Sequence, residues 1–175
     1  MSTGTETTAA TAGLRGVVAA QSSIGDVDGE KGILIYQGYD IHDLAEHSTF
    51  EEVVFLLWNG RLPKQDELAE LTAQFRANYS VPSEVIAAMK TFPKDADPMD
   101  VLRTAVSSLD FYDKAGHATD RENATKAAIK LTAQMGTIAA AWDRIRNGKD
   151  VIAPDENLSI AQNFLYMLRG ERAEA

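Results

Sequence analysis

The side chains of this sequence best suited to move a proton near neutral pH are its three histidines, His42, His47 and His117. His42 and His47 stand five positions apart with Asp43 and Glu46 between them, a composition that could bind a metal. Positions five apart leave a helix on different sides, however, whereas four apart would align them, so both read as surface histidines. His117, flanked by Gly116 and Ala118, reads as an ordinary loop imidazole. Asp95, Asp97 and Asp100 could surround a hard cation. Because Asp97 is followed by Pro98 and an amphipathic run, the simpler chemistry is helix capping, in which a carboxylate accepts from the free N–H groups of the first turn. The glycines between Gly25 and Gly32 lack both the lysine and the strand-to-helix context that a phosphate cradle needs. Trp58 and Trp142 sit at helical spacing and read as core. No residue is assigned as catalytic, cofactor-binding or metal-binding.

The elements around these residues read as mainly helical. The Ser/Thr/Ala-rich stretch 1–13 has too little apolar content to fold and reads as a disordered leader. Between Leu14 and Tyr39, glycines punctuate short apolar runs. Gly16-Val17-Val18 and Gly32-Ile33-Leu34-Ile35-Tyr36 read as two strands of a hairpin, with Asp28-Gly29 supplying the positive φ of the turn. Helices occupy 40–170. Asp40 caps a short helix running through Glu46. Ser48 and Glu51 form a capping box for a helix with Phe50, Val53, Val54 and Leu57 on its apolar face, closed by Gly60. Pro63 opens a helix carrying Leu68, Leu71 and Phe75, and Pro82 opens a shorter one ending near Lys90. Asp97 and Pro98 start a helix with a core face of Met99, Leu102, Val106 and Leu109. The longest helix runs from Asp120 to Gly148, with a stripe of Leu131, Met135, Ile138, Trp142 and Ile145 and a second surface kept small by Ala133, Gly136 and Ala139 to Ala141. Leu158, Ala161, Phe164, Leu165 and Leu168 mark a last helix closed by Gly170, and 171–175 is a polar tail.

The composition narrows the field further. The chain has 175 residues, 45% of them hydrophobic, enough for a core without disulfides or metals. Its net charge of −9 is repelled by nucleic-acid phosphates and anionic membranes, so neither is an expected partner. It has no cysteine, which removes disulfides, thiolate metal sites and thiol nucleophiles and suits a cytoplasmic location. No apolar run has the length of about 18 to 20 residues that a membrane span requires.

Several motifs in order carry a family resemblance over Leu14–Gly170. The stretch GLRGVVAAQSSIGDVDGEKGILIYQGYDIHDLAEHSTFEEVVFLLWNGRLP resembles the opening of the citrate synthase family, 2-methylcitrate synthases included. DADPMDVLRTAVSSL, RIRNGK and LSIAQNFLYMLRG resemble later motifs of the same family. Two positions depart from the pattern: Gln37 stands where the family usually has arginine, and Asp97 where it usually has histidine. The first change removes a bidentate cation; the second exchanges one capping residue for another.

The resemblance implies a helical bundle, the N-terminal part of the family's large domain, with a small β-hairpin in front. It implies an acyltransferase of the tricarboxylic acid cycle that condenses acetyl-CoA with oxaloacetate to citrate and CoA. The family's catalytic histidines and aspartate lie in motifs such as LHADH, GPLHGGAN and RxxGWxAH, none of which occurs in these residues. None of those roles therefore transfers to His42, His47 or His117. The chain is expected to be inactive alone, to bind no cofactor, and to need the C-terminal half of the enzyme as a partner, with the CoA thioester a substrate of the full-length enzyme. The helices near 98–112 and 121–147 resemble those that pair across a two-fold axis, implying a homodimer. The alternative is a non-catalytic helical dimerisation or interaction module derived from the same fold.

Overall fold

The computed structural model describes residues 22–113 and 120–172. Among these residues a three-stranded antiparallel sheet, β1 (Gly25–Asp28), β2 (Ile33–Tyr36) and β3 (Tyr39–Asp40), precedes seven helices. These are α1 (Ile41–His47), α2 (Phe50–Asn59), α3 (Gln65–Ala77), α4 (Ser83–Lys90), α5 (Pro98–Leu109), α6 (Arg121–Arg146) and α7 (Ile160–Arg169), with a single 3₁₀ turn, Asp110–Tyr112, after α5. The mainly helical expectation holds. Among the described residues no helix is long and apolar enough to cross a membrane.

The sheet differs from the expected hairpin. Its first strand is Gly25–Asp28, paired so that Gly25 faces Tyr36, while Gly16-Val17-Val18 and the leader lie outside the described residues. Gly29 does not carry the positive φ of the turn; Gly32 does. Asp28 shapes that turn through its carboxylate, which accepts from the N–H groups of Glu30 and Lys31. The second turn is the tighter one. Gln37 and Gly38 both have positive φ, +49° and +89°, as a two-residue type I′ connection requires.

Helix starts follow their caps more closely than their prolines. Asp40, Asp97, Asp120 and Ser159 each accept from a first-turn N–H. The capping box of α2 is Thr49 with Glu52, one residue later than expected, because Ser48 is already engaged in closing α1. Pro63 precedes α3, and Pro82 occupies the cap of α4 rather than its first turn. Gly60 and Gly170 close α2 and α7 in the left-handed conformation.

Two apolar clusters share α6, which at 26 residues is about 39 Å long. Val85 and Met89 from α4, Val101, Ala105 and Leu109 from α5, and Ile138, Trp142 and Ile145 from α6 form the larger. Val54, Leu71, Phe75, Tyr79, Ile129 and Ala133 form the other. The expected faces are rotated in three helices. In α2 the buried apolar residues are Val54 and Leu56, with Phe50 half exposed. In α5 the buried line is Val101, Ala105 and Leu109, and Met99 is 68% exposed. In α6 the lower stripe (Ile138, Trp142, Ile145) is buried but Leu131 and Met135 are not. Much of the small surface of α6 serves the chain itself: Ala133, Ala140 and Ala141 are buried, and a Cβ on Gly136 would touch the Phe164 ring of α7 at 3.7 Å. In α7, Leu158 lies before the helix and the buried side chains are Asn163 and Met167.

Candidate functional site

Two of the three histidines, His42 and His47, lie on α1 and have local hydrogen-bond partners. On exposed α1, His42 Nδ1 lies 2.8 Å from Asp40 Oδ1, the same oxygen that accepts from the His42 backbone N–H. Those bonds, the backbone one first, hold the Asp40 carboxyl below the usual carboxylate range. His47 Nδ1 is 3.1 Å from the Asp43 carbonyl, so the two rings have separate local partners. His117 lies outside the described residues. Asp97 accepts from Met99 N–H at 2.8 Å, and Asp100 pairs with Arg103 at 2.8 Å one turn on. Among the described residues no three His, Cys, Asp or Glu side chains are grouped to hold a metal ion. Gln37 sits beside the end of α2, where its Oε1 is 3.8 Å from the place a Cβ on Gly60 would take.

What α5, the turn after it and α6 leave uncovered is a set of large apolar side chains. Met99 and the 84%-exposed Phe111, at the two ends of the α5 segment, lie uncovered with Leu131 and Met135 of α6. A cleft of about 380 Å³ opens between the two helices, lined by Val106, Leu109, Ala127 and Leu131 together with the polar Ser107, Asp110, Asp113, Lys130 and Gln134. Lys130 pairs with Asp113 at 3.3 Å. Gln134 is buried; its Nε2 donates to the Ser80 carbonyl at 2.7 Å while its Oε1 has no donor among the described residues. Single exposed apolar residues are ordinary, but several large ones left bare on two packed helices make those helices a candidate contact surface.

Behind this face a set of buried polar groups fixes the loops that enter and leave the helices. Glu51, 5% exposed, accepts from the Ile160 N–H at 3.0 Å and so serves the first turn of α7 from another helix. Thr137 Oγ1 donates to the Tyr79 carbonyl at 2.9 Å, and the Tyr79 hydroxyl donates to the Leu158 carbonyl at 3.1 Å. Burial, reinforced by the Glu51 charge, pushes the Tyr79 hydroxyl up to about 12. Asn163 Oδ1 accepts from Asp155 N–H at 3.0 Å and its Nδ2 donates to the Asp155 carbonyl at 2.8 Å. Arg144 donates to the carbonyls of Asp150 and Leu168. These residues were not singled out in the sequence. The available signal was a polar side chain placed inside an apolar stripe, as with Asn163 between Ile160 and Met167.

The family model described as citrate synthase, C-terminal domain, matches residues 13–175. The chain is 42% identical over 163 residues to citrate synthase 2 of Bacillus subtilis, covering 93% of this chain and 43% of that protein. It is 41% identical over 163 residues to 2-methylcitrate synthase 2 of Corynebacterium glutamicum, with the same two coverages, 93% and 43%. The crystal structure of citrate synthase from Pyrobaculum aerophilum superposes with a TM-score of 0.83 at 36% identity, over 93% of this chain and 42% of that one. The chain thus spans less than half the length of the relatives it matches.

Proposed function

The chain belongs to the citrate synthase family, and from that premise we propose that it is the N-terminal, scaffold-forming part of a citrate synthase-like acyltransferase subunit. The observation that carries this reading is a match along nearly all of this chain that spans only 43% of its relatives. In the complete enzyme a carboxylate removes a methyl proton from acetyl-CoA while one histidine stabilises the enol oxygen and another polarises the oxaloacetate carbonyl. On this reading those three groups belong to the polypeptide that completes the chain, and His42, His47 and His117 take none of the roles. The chain binds no cofactor and is inactive alone; the CoA thioester is a substrate of the assembled enzyme, in the cytoplasm.

The role of these residues is then to hold the subunits together. An isologous contact needs one self-complementary patch, and the exposed surface of α5 and α6 supports a homodimer formed there. A second reading, a stand-alone dimerisation module of the same fold, draws on the two closed apolar clusters and the well-capped helices.

The deciding experiment mixes this chain with the separately produced remainder of the Bacillus subtilis enzyme, the part outside the matched residues, and follows CoA release from acetyl-CoA and oxaloacetate. The first reading expects no turnover by this chain alone and turnover in the mixture beyond that of the remainder. Turnover by the purified chain alone refutes it; no gain on mixing favours the module. Sedimentation of the chain with and without Met99→Glu tests the contact: the parent sediments as a dimer and the variant as a folded monomer.

A further inference from the structure

A second surface, away from the α5–α6 face, has three features that belong together. Between α4 and the segment 151–154 runs an open groove of about 370 Å³, lined mainly by Val81, Ile86, Ala87, Val151 and Ile152. At its rim stands Lys90. In a chain of net charge −9 this ammonium has no carboxylate partner among the described residues, and the groove is lined by no Asp or Glu. The third feature is the backbone. The segment is in neither helix nor strand, and its two ends are tied down by Arg144 on the Asp150 carbonyl and by Asn163 on Asp155 N–H. Between those ties the N–H and C=O groups of Val151, Ile152 and Ala153 make no hydrogen bond among the described residues, although Val151 and Ile152 are half-buried.

Main-chain groups at the edge of an apolar groove, free of internal partners, are what an extended peptide uses when it adds itself to a protein: its backbone supplies the hydrogen bonds and alternate side chains fill the groove. We propose that the groove between α4 and residues 151–154 seats an extended segment of the polypeptide that completes this enzyme, carrying apolar side chains into the groove and a carboxylate to Lys90. This rests on the proposal that the chain is one part of a longer acyltransferase. The length missing relative to its relatives provides the occupant. Charge argues against a second copy of this chain, which would bring another Lys90 rather than a carboxylate if it docked groove to groove. The segment is also firmly held at both ends, so docking requires little ordering of the receiving surface.

The test uses the 175-residue chain and the separately produced remainder of the Bacillus subtilis enzyme, with amide hydrogen exchange and binding followed by calorimetry. Mixing is expected to slow exchange at Val151, Ile152 and Ala153 about tenfold or more. Lys90→Glu is expected to weaken binding about tenfold at low salt, Lys90→Gln by less, and both effects shrink as salt rises. Ala87→Glu, at an exposed position of the same lining, weakens it further, whereas Lys31→Gln on the exposed β1–β2 turn leaves it unchanged. Thermal unfolding of each variant shows that the exposed substitutions leave the chain folded. Binding with residues 151–153 unprotected and Lys90→Glu without effect overturns the groove while leaving the two-part enzyme standing. No binding at all overturns both. Protection that appears on raising the concentration of this chain alone assigns the groove to a second copy and overturns the proposal.

Discussion

Asn163→Leu removes one buried amide and isolates the contribution of the polar interior. Asn163 is 1% exposed, and both its hydrogen bonds run to the backbone of Asp155, at 3.0 and 2.8 Å. The Asp155 carbonyl keeps a second partner in Leu158 N–H at 3.2 Å, but the Asp155 N–H loses the one it has. A stranded donor costs about 1–3 kcal/mol and the weakened acceptor about 1 more, so the variant should lose about 2–4 kcal/mol of a total near 5–15. For a chain of this size that lowers the melting temperature by roughly 4–15 °C. Urea denaturation followed by tryptophan fluorescence reads the loss directly, and amide exchange at Asp155 reports where it occurs. Asn163→Asp sharpens the test, because it keeps an acceptor for Asp155 N–H but sets a carboxylate oxygen against the Asp155 carbonyl. Burial and that carbonyl favour the protonated acid, so the variant's carboxyl should titrate above its unfolded value. Measured against the parent at each pH, its stability is then greatest below about pH 4, where the acid can donate to the carbonyl, and falls as pH rises through the folded value. Loss of under about 0.5 kcal/mol in Asn163→Leu, or no pH dependence in Asn163→Asp, would refute the assignment of Asn163 as the tie that holds the segment 151–155.

Two titrations should show at the extremes of pH. Glu67 is hydrogen-bonded by Arg61 at 2.5 and 2.8 Å and by the Lys64 N–H, which hold its carboxyl down at about 2. A depressed carboxylate contributes stability above its unfolded value near 4.5 that disappears as pH falls towards 2; Arg61→Ala should flatten that acid limb, read as melting temperature against pH. Tyr79, held at about 12, contributes stability that is complete below its unfolded value near 10 and is lost as pH rises through 12. Tyr79→Phe should remove this alkaline limb, and an unchanged limb would mean that another group titrates there.

The parts of the fold legible in the sequence are those set by local chemistry. Asp97 before Pro98 starts α5 at the expected residue, and Gly60 and Gly170 end α2 and α7, because a cap or a left-handed glycine acts within one turn. Periodicity, by contrast, finds that a helix is amphipathic but not which of two apolar stripes a neighbour will take. Met99, Leu102, Val106 and Leu109 of α5 keep helical spacing, yet α4 and α6 cover the adjacent line of Val101, Ala105 and Leu109 and leave Met99 bare. Leu131 and Met135 fare the same way, since the part of α6 that packs against α4 and α5 lies further along, at Ile138 to Ile145.

The candidate surfaces were legible only in part, for a related reason. The pairing of α5 and α6 was expected from the family likeness and from small residues along α6, but those small residues turn out to serve the chain's own packing. Gly136 makes room for Phe164, and Ala140 and Ala141 are buried. The apolar side chains left exposed on and beside these two helices are large ones instead, Met99, Phe111, Leu131 and Met135. The groove beside α4 has no local signature, because it arises from residues far apart in sequence, Ile86, Lys90 and Val151. What makes it the proposed docking site is the difference between Asp150 and Asp155, whose backbones are bound, and Val151, Ile152 and Ala153 between them, whose backbones make no hydrogen bond among the described residues. A spacing rule cannot register an unmade hydrogen bond; only a three-dimensional account of where each donor and acceptor goes can do so.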